Sequence, residues 1–99
     1  MRHFHRTQLP LDAVVAEADA FFPTIGLRAG GAGGEARSRT FSGDLGTLRL
    51  DVRPEGGHYT FVEAVTDQMG ESRMDRNVKR FFVRLHKRAR PGHVLDAAF

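Results

Sequence analysis

The sequence predicts an α+β fold, a two-layer β-α-β-β-β-α domain whose four-stranded, mainly antiparallel sheet carries both helices on one face. Apolar residues recur twice at helical spacing, within residues 11–25 and again within residues 74–89. Between them, residues 47–53 alternate apolar and polar side chains, which is typical of a strand with one buried face. Because each helix has a single apolar stripe, packing both stripes on the apolar side of the sheet buries all three surfaces.

Length and composition agree with one ordinary domain. The chain has 99 residues, of which 40% are hydrophobic and 27% charged. We assign residues 1–92 to a single α+β domain and residues 93–99 to a tail that is either flexible or part of an interface. No stretch is long and apolar enough for a membrane span, and no signal peptide is seen. The absence of cysteine excludes disulfides and thiolate chemistry, so we expect a cytoplasmic protein without cofactors.

The first two elements are a strand and a helix. Residues 2–8 alternate weakly and predict an edge strand, which Leu9-Pro10 ends because proline lacks a backbone donor. Pro23 then predicts a helix end near Phe22. The apolar positions of this helix and the turn after it are Leu11, Val14, Val15, Ala18, Phe21, Phe22 and Ile25.

Residues 28–35 are rich in glycine and predict a loop. No Lys-Ser/Thr pair follows and no helix begins there, so a linker is favoured over a phosphate-binding loop. Strands are then predicted at residues 36–41, 47–53 and 58–66, with turns at 42–46 and 54–57.

The second helix has clear start and stop signals. Ser72 is in position to cap it, with Asp75 three residues on, and Pro91-Gly92 ends it. Its apolar stripe consists of Met74, Val78, Phe81, Phe82, Leu85 and Ala89. Replacing Phe81 or Phe82 with Ala is expected to cost about 3–5 kcal/mol.

Positive charge is concentrated on this second helix. The net charge is only +3, yet residues 71–90 hold eight Lys and Arg against two acidic residues. Such a local field favours an acidic partner, either nucleic acid or an acidic protein, since cations on a helix face can neutralise several phosphates. The candidate polyanion-binding residues are Arg73, Arg76, Lys79, Arg80, Arg84, Lys87, Arg88 and Arg90. The alternative is a solvated helix face that is paired with acids of neighbouring elements.

Other chemistry-bearing patterns are weaker. His3 and His5 would share one face of a strand, but a metal site needs ligands that only distant residues supply, so we interpret them as part of a polar outer face. The serines, Ser38, Ser42 and Ser72, lie in no nucleophile pattern. We therefore expect no metal site and no catalysis.

The predicted element order over residues 2–90 resembles a reduced helix-grip arrangement, the plan of START and polyketide-cyclase-like ligand carriers, and also one half of a TATA-binding-protein-like fold. The resemblance implies a small apolar ligand held between sheet and helices. As an alternative hypothesis we place such a ligand near Arg49, Phe61, Glu63 and Phe81. It requires that Glu63 face inward, whereas the opposite register points Thr60, Val62 and Ala64 to the core. The two registers cannot be separated by pattern.

The leading hypothesis is a non-catalytic binding module that meets an acidic partner through its basic helix. The ligand carrier is one alternative. A structural domain that forms a homodimer through sheet edges or residues 94–99 is the other.

Overall fold

The computed structural model describes residues 1–30, 38–69 and 72–89. In chain order the elements are β1 (Arg2–Thr7), α1 (Leu11–Phe21), a 3₁₀ turn (Phe22–Ile25), β2 (Arg28–Ala29), β3 (Ser38–Gly43), β4 (Gly46–Glu55), β5 (Tyr59–Thr66) and α2 (Arg73–Ala89). The α+β class and the antiparallel sheet are confirmed. The predicted helix stop and tail from residue 91 onward lie outside the described residues, as does most of the glycine-rich segment.

The four-strand count is wrong, because the sheet has five strands in the order β1-β5-β4-β3-β2. The extra strand is β2, two residues within the segment predicted as a loop, and it pairs with Phe41 and Ser42 of β3. Gly26, at a φ of 86°, ends the 3₁₀ turn and reverses the chain. Its carbonyl oxygen would lie 2.5 Å from a Cβ added at Gly43, so the close approach of these two segments requires glycine.

Two strand boundaries also differ from the predicted ones. The turn predicted at residues 54–57 begins too early, since Pro54 and Glu55 still pair with β5. Proline is compatible with this strand end, where a ladder donor can be lost. β3 extends through Gly43, so that the β3–β4 turn is tighter than predicted.

The face of the sheet that packs against the helices is called here the inner face, and the opposite one the outer face. In β4, Leu48, Leu50 and Val52 are buried on the inner face, as the alternation predicted. The register pairs Leu50 with Ala64 and Val52 with Val62, both fully buried. Glu63 therefore belongs to the outer face, which resolves the register left open by the sequence.

Three phenylalanines join the two layers. The ring of Phe22 lies 4.9 Å from that of Phe41 in β3 and 4.9 Å from that of Phe81 in α2, measured between centroids. All three are fully buried. The remaining α2 side chains in this core cluster are Met74, Val78 and Leu85, and those of α1 are Val14, Val15, Ala18 and Phe21. Both helices thus share one core with the sheet. Within the described residues, no helix is both long and apolar enough to cross a membrane.

The histidines of β1 do not form a polar outer face, so that interpretation is wrong. His3 pairs in register with Ala64 and His5 with Val62, and both are therefore on the inner face beside α2. The reason is that α2 covers this edge of the sheet with polar and aromatic side chains, which the imidazole rings contact.

We expect Phe81→Ala to lower the free energy of unfolding by about 3–5 kcal/mol, because it leaves a cavity at the centre of the aromatic cluster. Phe82→Ala is expected to cost clearly less, since Phe82 is only half-buried. Urea denaturation followed by circular dichroism measures both. Equal losses for the two variants would contradict this placement of the core.

Candidate polyanion-binding surface

The orientation of α2 is set by its capping and by its apolar arc. The Asp75 backbone N–H donates to Ser72 Oγ over 3.1 Å, and the Ser72 hydroxyl donates to the Asp75 carboxylate. This confirms the predicted cap, which satisfies an otherwise unpaired donor at the helix start. Because the apolar arc is buried against the sheet, the opposite side of α2 must face solvent.

Five cations form a row on that solvent-facing side, here called the basic stripe. They occupy positions i, i+3, i+7, i+11 and i+14 of the helix, a spacing that keeps side chains on one face. All five are exposed. At 1.5 Å per residue the stripe is about 21 Å long. Its members are Arg73, Arg76, Arg80, Arg84 and Lys87.

Two arginines of α2 form ion pairs with a carboxylate of α1. Arg84 Nε donates to one carboxylate oxygen of Glu17 over 2.5 Å, and Arg88 donates to the other. Glu17 belongs to α1 and is buried, so the pair of arginines fastens α2 to α1. Arg88 is therefore mainly a structural residue, and Arg84 has a partly neutralised charge.

The other cations of the stripe are not paired with a carboxylate of the described residues. Arg73, Arg76 and Lys87 have no ion-pair partner among the described residues. The Arg80 guanidinium donates to the neutral side-chain amide of Asn77 over 3.0 Å, which orders it without cancelling its charge. Among the remaining predicted residues, Lys79 is only partly exposed, and Arg90 is outside the described residues.

Asp75 has a second role that sequence reasoning missed. Its carboxylate is buried, lies 2.7 Å from His3 Nε2 and accepts a hydrogen bond of 2.9 Å from the Thr66 hydroxyl. Burial would raise the pKa of Asp75, but the hydrogen bonds from Ser72, His3 and Thr66 together lower it below its usual value. The ionised carboxylate thus joins β1, β5 and α2, and this carboxylate serves the fold rather than a ligand.

His5 packs flat on Phe82, with ring centroids 5.0 Å apart and planes inclined by 13°. Burial lowers the pKa of His5, and the nearby His86 lowers it further. A shallow groove beside this pair is lined by Arg6, Tyr59 and His86 among others, at the edge where the inner and outer faces meet. No group of three potential metal ligands lies together among residues 1–30, 38–69 and 72–89.

The residues of the ligand-carrier alternative are not brought together. Phe81 is in the core on the inner face, whereas Arg49, Phe61 and Glu63 lie on the outer face. Glu63 lies 3.8 Å from Arg2 Nε, its ion-pair partner across the β1–β5 ladder. These four residues therefore line no common cavity between sheet and helices.

Compared with protein-family models and with curated proteins, the sequence matches none.

We expect stability to fall as the pH decreases below about 6.5, because His5 has a lowered pKa in the folded state and the unfolded chain takes up the proton first. The loss should stop once the pH is below the folded-state pKa. His5→Phe keeps the stack on Phe82 and should reduce this pH dependence, as measured by thermal unfolding at a series of pH values. His58→Gln, a change in an exposed turn, is the control and should show the same pH dependence as the wild type. An unchanged pH dependence in His5→Phe would show that another group is responsible.

Asp75→Asn is expected to destabilise the fold by about 1–3 kcal/mol at neutral pH, because a buried amide cannot accept from all the donors that meet the carboxylate. The wild-type advantage should disappear at acidic pH, since stability that depends on a lowered carboxyl pKa is lost as the pH falls through it. Urea denaturation at neutral and acidic pH measures both effects. Asp44→Asn, in the exposed β3–β4 turn, is the control.

Proposed function

We propose that this protein is a non-catalytic module that binds a polyanion, with nucleic acid as the best-matched class, through the basic stripe of α2. The single observation that carries the proposal is the row of five exposed cations, of which Arg84 alone is ion-paired with a carboxylate of the described residues. The proposal includes a cytoplasmic location, which the lack of cysteine supports.

The spacing of the charges supports a repeating anionic partner. Consecutive members of the stripe are three or four residues apart, or about 4.5–6 Å along the helix axis. A phosphate backbone presents charges in a regular series, and each neutralised phosphate releases counterions. Like charges this close together repel one another in the free protein, so an anion that relieves the repulsion gains affinity.

The positions of the acidic residues also support the proposal. Among the described residues, the carboxylates that belong to α2 or bond to its side chains include Asp75, which is buried and accepts from its own donors, and Glu17, which is held between Arg84 and Arg88. Neither is placed to neutralise Arg73, Arg76 or Lys87. For these three cations, the exposed charge is therefore separate from the contacts that hold the helix in the fold.

The non-catalytic part of the proposal is supported by what the polar groups already do. Ser72 caps α2, and the Ser38 hydroxyl donates to Asp51 over 2.5 Å. A nucleophile needs a base and an orienting group aimed at a substrate. These hydroxyls are instead engaged in bonds that fix a helix end and a pair of strands.

The test is binding of a labelled DNA duplex of about 20 base pairs, followed by fluorescence anisotropy at several salt concentrations. We expect affinity to fall steeply with salt, and the double variant Arg76→Ala/Lys87→Ala to reduce the log–log slope by about 2, one unit for each lost phosphate contact. Arg28→Ala/Arg49→Ala removes the same charge from the other side of the sheet and should retain the wild-type slope. Equal effects of the two double variants would contradict the stripe as the binding surface. Flat isotherms at low salt with both the duplex and heparin would overturn the proposal.

A further inference from the structure

The outer face of the sheet carries two half-exposed aromatic rings that the basic stripe does not involve. We propose that this face binds single-stranded nucleic acid by stacking bases on Phe4 and Tyr59. The site lies on the opposite side of the sheet from α2, so the inference goes beyond the proposed function and does not depend on it.

Register places the aromatic residues side by side. Phe4 of β1 is next to Glu63, Arg6 is next to Phe61, and Tyr59 precedes Phe61 by two residues on the same face of β5. The rings of Phe4 and Phe61 are 5.5 Å apart between centroids. Phe4 is 53% exposed and Tyr59 48% exposed. A diagonal row of rings thus crosses two adjacent strands, with accessible rings at both ends.

The central ring, Phe61, is covered by arginines. The Arg53 guanidinium carbon lies 4.4 Å from the centre of the Phe61 ring and that of Arg6 lies 5.3 Å from it. This leaves Phe61 only 6% exposed although no described helix covers it. Arginines ordered by stacking lose less freedom when they bind a phosphate. Arg53 has no ion-pair partner among the described residues, while Arg6 is paired with Glu55.

Exposed rings flanked by ordered cations match the chemistry of a single strand. Each nucleotide supplies a flat apolar surface and a negative charge, and proteins bind single strands by combining base stacking with a positive track. A duplex keeps its base faces stacked internally and cannot offer them to Phe4 or Tyr59.

The charges of the outer face argue against a second copy of this chain as the occupant. The charged side chains on β1, β4 and β5 at this face are Arg2, Arg6, Arg49, Arg53, Asp51, Glu55 and Glu63, with one more cation than acidic residues. Asp51 is paired with Arg49, Glu55 with Arg6 and Glu63 with Arg2. An interface between two identical faces would bury these ion pairs at a large desolvation cost.

The chain contains one tyrosine and no tryptophan, so its intrinsic fluorescence reports on Tyr59 alone. We expect unlabelled single-stranded RNA of mixed sequence to quench this emission on binding, after correction for absorbance with free tyrosine amide. Heparin, which has charges but no bases, should bind without comparable quenching.

The binding arm uses Phe4→Ala, with Met69→Ala as the control. Met69 is 89% exposed and lies outside the strands, so the control removes an even more accessible apolar side chain from another part of the surface. Phe4→Ala is expected to lower the affinity for single-stranded RNA about 5-fold or more, which is the effect of one lost stacked base. It should leave heparin and duplex binding unchanged, whereas Arg76→Ala/Lys87→Ala should weaken those two.

The outcomes separate the two proposals. If RNA does not quench Tyr59 emission, its affinity is unchanged by Phe4→Ala, and the protein still binds heparin, the outer-face site is overturned. The proposal for the basic stripe then still holds. If RNA quenches Tyr59 emission and Arg76→Ala/Lys87→Ala changes neither RNA nor duplex affinity, the result supports the outer-face site alone. A wild-type dimer in analytical ultracentrifugation that Phe4→Ala converts to a monomer would overturn the inference in favour of self-association.

Discussion

The burial of one arc of α2 against the inner face is the constraint on which the rest of the structure depends. Phe81 meets Phe22 from the 3₁₀ turn, and that ring meets Phe41 from β3, so a single aromatic contact chain ties together three parts of the sequence. A domain of this size has one small core and cannot lose it. Because the arc must face inward, the composition of the opposite side of α2 is free to serve binding.

Two buried carboxylates hold α2 in place by pairing with side chains of the helix and of neighbouring elements. Glu17 is held between Arg84 and Arg88 and fixes α2 against α1. Asp75 fixes the beginning of the same helix to β1 and β5 through His3 and Thr66. Both acids act at the inner margins of α2, where a buried charge needs partners. Among the described residues, Arg73, Arg76 and Lys87 on the outward side have no carboxylate partner, and this asymmetry makes the surface positive.

Periodicity and capping rules predicted both helices, four of the five described strands and the Ser72 cap, because each depends on local spacing. The two-residue β2 was missed because its pairing with β3 follows from the close approach of Gly26 and Gly43, which are far apart in sequence. Glu63 could not be assigned to a face, since both sides of β5 are apolar in pattern. Its neighbours across the ladder decide the register.

The charge cluster on α2 could be predicted from the sequence. Which of its cations form ion pairs with carboxylates of other elements could not. The contact of Glu17 with Arg88 spans 71 residues, and no local rule reports a partner at that separation. The same holds for His3 and Asp75. The row formed by Phe4, Phe61 and Tyr59 likewise exists only once β1 is placed beside β5.

The position of β1 has a consequence for how the chain reaches its native state. Among the described strands β1 pairs only with β5, which follows it late in the chain, and the paired residues Thr7 and Thr60 are more than half of the 99 residues apart. Closing so long a segment is entropically slow. Until β5 is present, β1 has no strand to pair with, and Arg2 and Arg6 are charged residues of the type that discourages pairing of such a strand with other chains.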